Sequence, residues 1–299
     1  MRKRFMTVMF LICLLLCAPC WAEETAETEA DPVDEFLSSL NYRKGLVELP
    51  DGIATLDVPE TFRYIGPEDS KRFLEEGWGN PDGSNQIGML LPMETDLFGD
   101  NGWAVVISYQ EDGYVSDKDA GKIDYDELLK SMQDGARENN KARKEKGFPP
   151  VTLVGWAAPP RYDSQAKKLY WAKELQFDQD DAHTLNYNVR ILGRKGVLVL
   201  NAVSGMDQLP LVRERMEKVI RFANFKEGHR YSDYQPGVDK VAAYGIAALI
   251  GGKLALKAGL LAKLGGLLVA FKKVFIIGFL AIAGLFKKFF KRRKVEPAA

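Results

Sequence analysis

Between residues 151 and 204 apolar and polar positions alternate with a period of two, in four segments separated by polar or glycine-containing turns. Leu169-Tyr170-Trp171-Ala172 and Leu185-Asn186-Tyr187-Asn188-Val189 show the alternation best, which predicts strands with one packed and one wet face. The four segments, 151–158, 168–177, 184–192 and 197–204, predict an antiparallel meander, with the tightest turn at Gly193-Arg194-Lys195-Gly196. Residues 197–200 are apolar throughout and belong to the interior. Pro159-Pro160 predicts a rigid turn after the first segment, and Trp156 and Trp171 are then expected to face each other across the ladder.

The spacing changes to that of a helix in two places. Leu128, Leu129, Met132 and Ala136 form one stripe within 125–144, opened by a cap at Asp124 and a Glu127 placed for a capping box. Val212, Met216, Val219 and Ile220 form another within 209–222. Earlier in the chain, 46–59 predicts a hairpin turning at Asp51-Gly52, and 67–76 a short helix with an acidic first turn. Residues 87–91 and 103–109 predict two more strands. Helices fall between strands without the regular rhythm of crossover units, so the expected class is α+β, with helices packed on a mainly antiparallel sheet.

Composition changes the picture at the two ends. Residues 1–22 have the order of a secretory signal: Arg2-Lys3-Arg4, an apolar core over 5–16, and a Cys20-Trp21-Ala22 exit. Cys13, Cys17 and Cys20 are the only cysteines, so a chain cleaved after Ala22 has no disulfide, thiolate nucleophile or cysteine-held metal. Residues 23–40 are strongly acidic and predict a flexible leader. Glu23 to Lys240 carries forty acidic and twenty-seven basic residues, net −13, and Val241 to Ala299 eleven basic and one acidic, net +10. An acidic domain over 41–240 is thus followed by a cationic apolar tail.

Within the tail, 241–271 predicts an apolar helical segment containing lysines, 272–290 a transmembrane helix and 291–299 a basic end. Lys272, Lys273, Lys287 and Lys288 flank a short apolar window, and their stems can reach the headgroup zones. With Arg292 and Arg293 the basic cluster favours a cytoplasmic C-terminus and a single pass. Two passes and surface attachment are the alternatives. The expected location is a bacterial inner membrane, with the large domain in the periplasm. Membrane lipids are the expected partners, together with an envelope protein or a second copy of the chain; nucleic acid is not, because the outer domain is net negative.

Candidate chemistry is sparse. The acidic turn 117–127 approaches a calcium-loop pattern through Asp117, Asp119, Asp124 and Glu127, but neither register fits. An acidic turn leading into a capped helix is the expectation, with weak divalent binding as the alternative. Trp156, Tyr162, Asp163, Trp171, Glu174 and His183 are the candidates for a binding surface, the tryptophans alternatively being core. His183 follows Asp178, Asp180 and Asp181, which favours a pH-responsive contact over a general base. No nucleophile elbow or phosphate-cradling glycine loop is present, and no cofactor is expected.

Gly155-Trp156 with Pro159 and Tyr162-Asp163, Leu169-Tyr170-Trp171-Ala172, and Asp239-Lys240-Val241-Ala242-Ala243-Tyr244-Gly245 before an apolar tail resemble a family of bacterial uncharacterised membrane-anchored proteins, a domain of unknown function. The resemblance implies a Gram-negative envelope setting and an anchor, and no catalytic residue. The functional expectation is a noncatalytic, membrane-anchored binding or scaffold protein of the envelope. The alternative is a hydrolase of envelope carbohydrate or peptide using paired carboxylates.

Overall fold

The computed structural model describes residues 31–80, 83–178 and 181–252. The chain divides into two compact units, 1–40 and 41–299. The described part of the first holds a helix, α1 (Pro32–Ser38), where the composition predicted a flexible leader. Proline in the first turn, an Asp31 cap and acidic Asp34 and Glu35 near the positive end of the dipole supply enough local signal. None of its residues is buried.

The second unit is an α+β fold built on a large antiparallel sheet. In chain order it contains β1 (Tyr42–Arg43), β2 (Gly45–Glu48), β3 (Ala54–Val58), β4 (Phe62–Ile65), α2 (Pro67–Arg72), β5 (Gly88–Pro92), β6 (Ala104–Gln110) and β7 (Tyr114–Ser116). There follow α3 (Tyr125–Glu145), β8 (Val151–Asp163), β9 (Lys168–Phe177), β10 (Thr184–Leu192), β11 (Val197–Gly205), α4 (Leu209–Phe222), β12 (Ala223–Phe225) and β13 (Val241–Gly245). The main sheet has eight strands in the order β1-β4-β5-β6-β11-β10-β9-β8. The predicted meander is its right-hand half. The predicted hairpin is β2–β3, with left-handed φ at Asp51 and Gly52, and it forms a smaller sheet with β12.

Alternation in β10 sends Leu185, Tyr187, Val189 and Ile191 to one face, where they meet Leu198, Leu200 and Ala202 of β11. Helix α4 closes this core with Val212, Met216, Val219 and Ile220, the predicted stripe, all buried. Each such side chain removed from water stabilises the fold by roughly 1.5–3 kcal/mol before its entropy cost. On the opposite face α3 packs against β8 and a second cluster forms. It joins Leu169, Trp171, Leu192 and Val197 to Val115, Ala242, Ile246, Leu249 and Ile250.

Two expectations fail here. Pro159-Pro160 makes no turn: β8 runs through both prolines to Asp163. The turn lies beyond, where Asp163 Oδ1 accepts from Gln165 N and Ala166 N, both at 2.9 Å. Strand β8 is a sheet edge and its register with β9 shifts three times between Leu153 and Arg161, so the missing proline N–H groups leave no ladder position empty. Trp156 consequently lies opposite Lys173, not Trp171.

The second failure is at the start of the tail. Residues 241–245, expected to be helical, form β13 and pair in parallel with β7; helix begins only at 246 and is described through 252. Ala242, Ile246, Ala248, Leu249 and Ile250 are buried, so the folded unit extends past the expected boundary at 240. Tertiary contact overrides local helix propensity here. The two glycines beside the join are needed for close approach. A Cβ on Gly113, whose φ is +107°, would meet Lys240 O at 2.6 Å, and one on Gly245 would meet Asp119 Oδ2 at 2.4 Å. The expected transmembrane helix and its flanks Lys272, Lys273, Lys287, Lys288, Arg292 and Arg293 lie outside the described residues, as does the expected signal; among the described residues no helix is long and apolar enough to cross a membrane.

Candidate functional site

Helix α3 lies over the sheet between two depressions. One, of about 870 Å³, is lined by Glu127, Asp134 and Glu138 of α3, by Lys173 and Leu175 of β9 and by Ile250 to Gly252 at the end of the described chain. The other, of about 880 Å³, opens between α3 and the turn after α2. Its floor is the sheet itself: Val106, Asn201, Val203, Thr184, Asn186, Lys173 and Leu175. Asn139, Asn140 and Arg143 of α3 form one wall, and Trp78, Asn80 and Gln86 contribute the other. Among its described lining residues there is no carboxylate. In a stretch of net charge −13 that absence is the distinctive feature of the surface.

The polar floor follows from strand periodicity. The positions of β10 that alternate with its core residues are Thr184, Asn186, Asn188 and Arg190. Register places Asn186 opposite Lys173 of β9, and Asn188 between Trp171 of β9 and Asn201 of β11. Asn188 Nδ2 donates to both the backbone oxygen and Oδ1 of Asn186, each at 2.9 Å. Asn201 Oδ1 is buried and has no partner among the described residues, and neither has Arg190 Nε. The Arg190 guanidinium lies 4.8 Å from the centre of the Trp171 ring, and its Nη1 donates to Val189 O at 3.2 Å.

Neither cation is neutralised: among the described residues no carboxylate forms an ion pair with Lys173 or Arg190. Burial pushes the Lys173 amine down to about 8, with the Arg190 charge adding to the effect. Burial also lowers Arg190, opposed only by the nearby Tyr244 phenol, which is itself bonded to Asp112 at 2.5 Å. Two partly buried cations with no counter-charge lower stability unless something else supplies the charge. Perturbed groups of this kind in a cleft mark a candidate site. Helix α3 is held over it by side chains that satisfy the irregular edge of β8. Asn140 exchanges two bonds with Val151, at 2.8 and 3.0 Å, and Gln133 Nε2 donates to Leu153 O and Val154 O at 3.2 Å.

The residues singled out from sequence do not converge on one surface. Trp171 is buried in the second cluster, and Trp156 packs against that cluster, its Nε1 donating to Tyr125 O at 3.4 Å. Tyr162 donates to Asp117 Oδ2 at 2.7 Å, and Asp163 closes the β8–β9 turn. Glu174 and His183 do meet, Oε1 to Nδ1 at 2.5 Å, with His183 bordering a separate shallow depression. The acidic-turn carboxylates are committed to different tasks. Burial raises Asp117, but hydrogen bonds from Lys167 and Tyr162 outweigh it and hold the carboxyl below its usual range. Asp119 accepts from Ile246 N at 3.0 Å, and Asp124 caps α3 through Asp126 N and Glu127 N. Glu127 borders the first depression. Lys173, Arg190, Asn186, Asn188 and Asn201 are the residues that sequence reasoning missed. For Asn186, Asn188 and Arg190 the signal was the polar half of the alternation in β10, which predicts water only if nothing covers that face; Lys173 and Asn201 lie on the flanking strands β9 and β11.

The class defined by these observations is an α+β domain whose main antiparallel sheet carries a covered polar cleft with no carboxylate among its described lining residues. The chain belongs to the family described as "Protein of unknown function (DUF2167)", which matches residues 41–283. No curated protein matches it. Among solved structures it is similar to cyanobacterial PsbP (CyanoP) from Synechocystis sp. PCC 6803, with 12% identity over 62% of this chain and 92% of that one and a TM-score of 0.34. It is also similar to the Ran-binding protein Mog1p of Saccharomyces cerevisiae, with 12% identity over 66% of this chain and 100% of that one and a TM-score of 0.33. At those scores neither likeness bears on what this chain does.

Proposed function

We propose that this chain is a noncatalytic binding module of a bacterial cell envelope, held at the inner membrane by residues 272–290. In this reading the domain stands in the periplasm, and the cleft under α3 is its ligand surface. The observation that carries it is the cleft's lining of amides, aromatics and the unpaired Lys173. A carboxylate hydrolase would need two carboxylates about 5–10 Å apart across its groove. The cleft supplies none among its described residues. The anchor rests on the apolar, lysine-flanked tail and its net charge of +10.

The test is photo-crosslinking in intact cells from a reactive residue placed at Asn139, on the cleft wall, and at exposed Glu60 as a control. A crosslinked species from position 139 and none from position 60 is expected. Equal or absent products at the two positions would remove the cleft as the ligand surface.

A further inference from the structure

The charge of the cleft specifies its ligand more narrowly than its shape does. Lys173 of β9 and Arg190 of β10 lie on the same face of the sheet, Lys173 opposite Asn186 and Arg190 four residues further along β10, and among the described residues neither has a carboxylate partner. Asn186 lies directly across from Lys173, and the buried Asn201 Oδ1 waits for a donor one strand further on. Elsewhere in the chain Lys167 is paired to Asp117 at 2.8 Å and Arg194 to Asp239 at 2.7 Å. Lys173 also borders the first depression, with Glu127, Asp134 and Glu138, yet pairs with none of them, and on the side of the second cleft no carboxylate stands among the described lining residues.

We propose that the cleft binds an organic anion, its carboxylate or phosphate group seated on Lys173 and its hydroxyl- or amide-bearing body lying along Asn186 and Asn201. This rests on the binding-module reading above and narrows it. Arg190 is a positioning residue, fixed by Trp171, whose field keeps the floor positive. The amides discriminate by offering both donors and acceptors to the uncharged part of the ligand. The charge-assisted contact supplies the stronger bond, because it forms in a partly dry cleft.

The experiment uses the full chain in neutral detergent, with thermal unfolding followed at constant ionic strength. The probes are glucuronate, glucose 6-phosphate and glucose. A saturable rise in Tm with one or both acids and none with glucose is expected. A response to glucuronate alone assigns a carboxylate ligand, and a response to glucose 6-phosphate alone a phosphate ligand. Lys173→Met should abolish the shift. Asn186→Asp, which places a carboxylate opposite Lys173, should abolish it too while raising the Tm of the unliganded protein. Equal stabilisation by glucose, an acid response that survives both substitutions, or no response to either acid would overturn the assignment. If position 139 still crosslinks in that event, the binding module stands and only its anionic ligand falls; if it does not, both fall.

Discussion

Lys173 carries a positive charge that the fold does not neutralise, and that has a measurable pH signature. Its amine titrates near 8 in the folded chain against about 10.4 in an unfolded one. Below pH 8 both states are protonated and the folded state bears the full cost of the partly buried charge. Between about 8 and 10.4 the unfolded state holds more protons, so stability rises with pH. Lys173→Met removes this slope. The substitution is expected to stabilise the protein at pH 7 by on the order of 1–2 kcal/mol after solvent screening, read from denaturant unfolding at pH 7 and pH 10. A loss of stability at pH 7 would show that the lysine has a structural partner. The tryptophans separate in the same way. Trp171, 1% exposed, should cost about 3–5 kcal/mol on change to alanine, and partly buried Trp156 distinctly less. Chemical denaturation of the two variants gives the ranking. The two tryptophans were visible in the sequence as a pair, but their separation depends on the bulges of β8, which local spacing does not encode.

At the scale of elements, α3 is the odd member. It has twenty-one residues and none is buried, and its expected apolar stripe of Leu128, Leu129, Met132 and Ala136 is only partly covered. A helix with so little burial belongs to the low-stability end of a fold. Its amides are expected to exchange hydrogen faster than those of β9, β10 and β11, measurably by mass spectrometry on the native protein. Asp124→Ala, which removes two capping bonds, should accelerate that exchange further and cost about 1 kcal/mol. Uniform exchange across α3 and the sheet would mean that the helix is an integral part of the core. The helices, the hairpin and the four-strand meander were legible because each is written in a local period. The path of β8 through Pro159-Pro160 was not, since a proline is tolerated at an edge and nothing in the local string says which strand is the edge. Strand β13 was hidden for a related reason: its apolar letters suit a helix, and only β7, far earlier in the chain, makes it a strand.

For the whole molecule, the division between domain and tail moves toward the C-terminus. A chain ending at Gly252 keeps β13 and the buried Ile246, Leu249 and Ile250; one ending at Lys240 loses them all. The longer truncate is expected to be released from membranes and resist proteolysis, the shorter to be cleaved rapidly. If the longer form still pellets with membranes in high salt, the domain has a lipid-binding surface of its own. The topology prediction belongs at this scale as well. With the signal removed the chain has no thiol, so Ala298→Cys should escape an impermeant maleimide until the inner membrane is breached. Labelling with only the outer membrane opened would place the C-terminus outside the cytoplasm. The candidate site was the least legible part at any scale, because Lys173, Asn186 and Asn201 come from three strands and share one face only through register. The β13–β7 join also dictates an order of events in the life of the chain. Val115 and Trp171 cannot complete their cluster until the residues around Ile246 to Ile250 have been made, nearly at the end of the described chain. At roughly 5–20 residues per second a nascent chain therefore spends several seconds with that apolar face unfinished. The first core can close once Ala223 has been made; the second waits for Ile250.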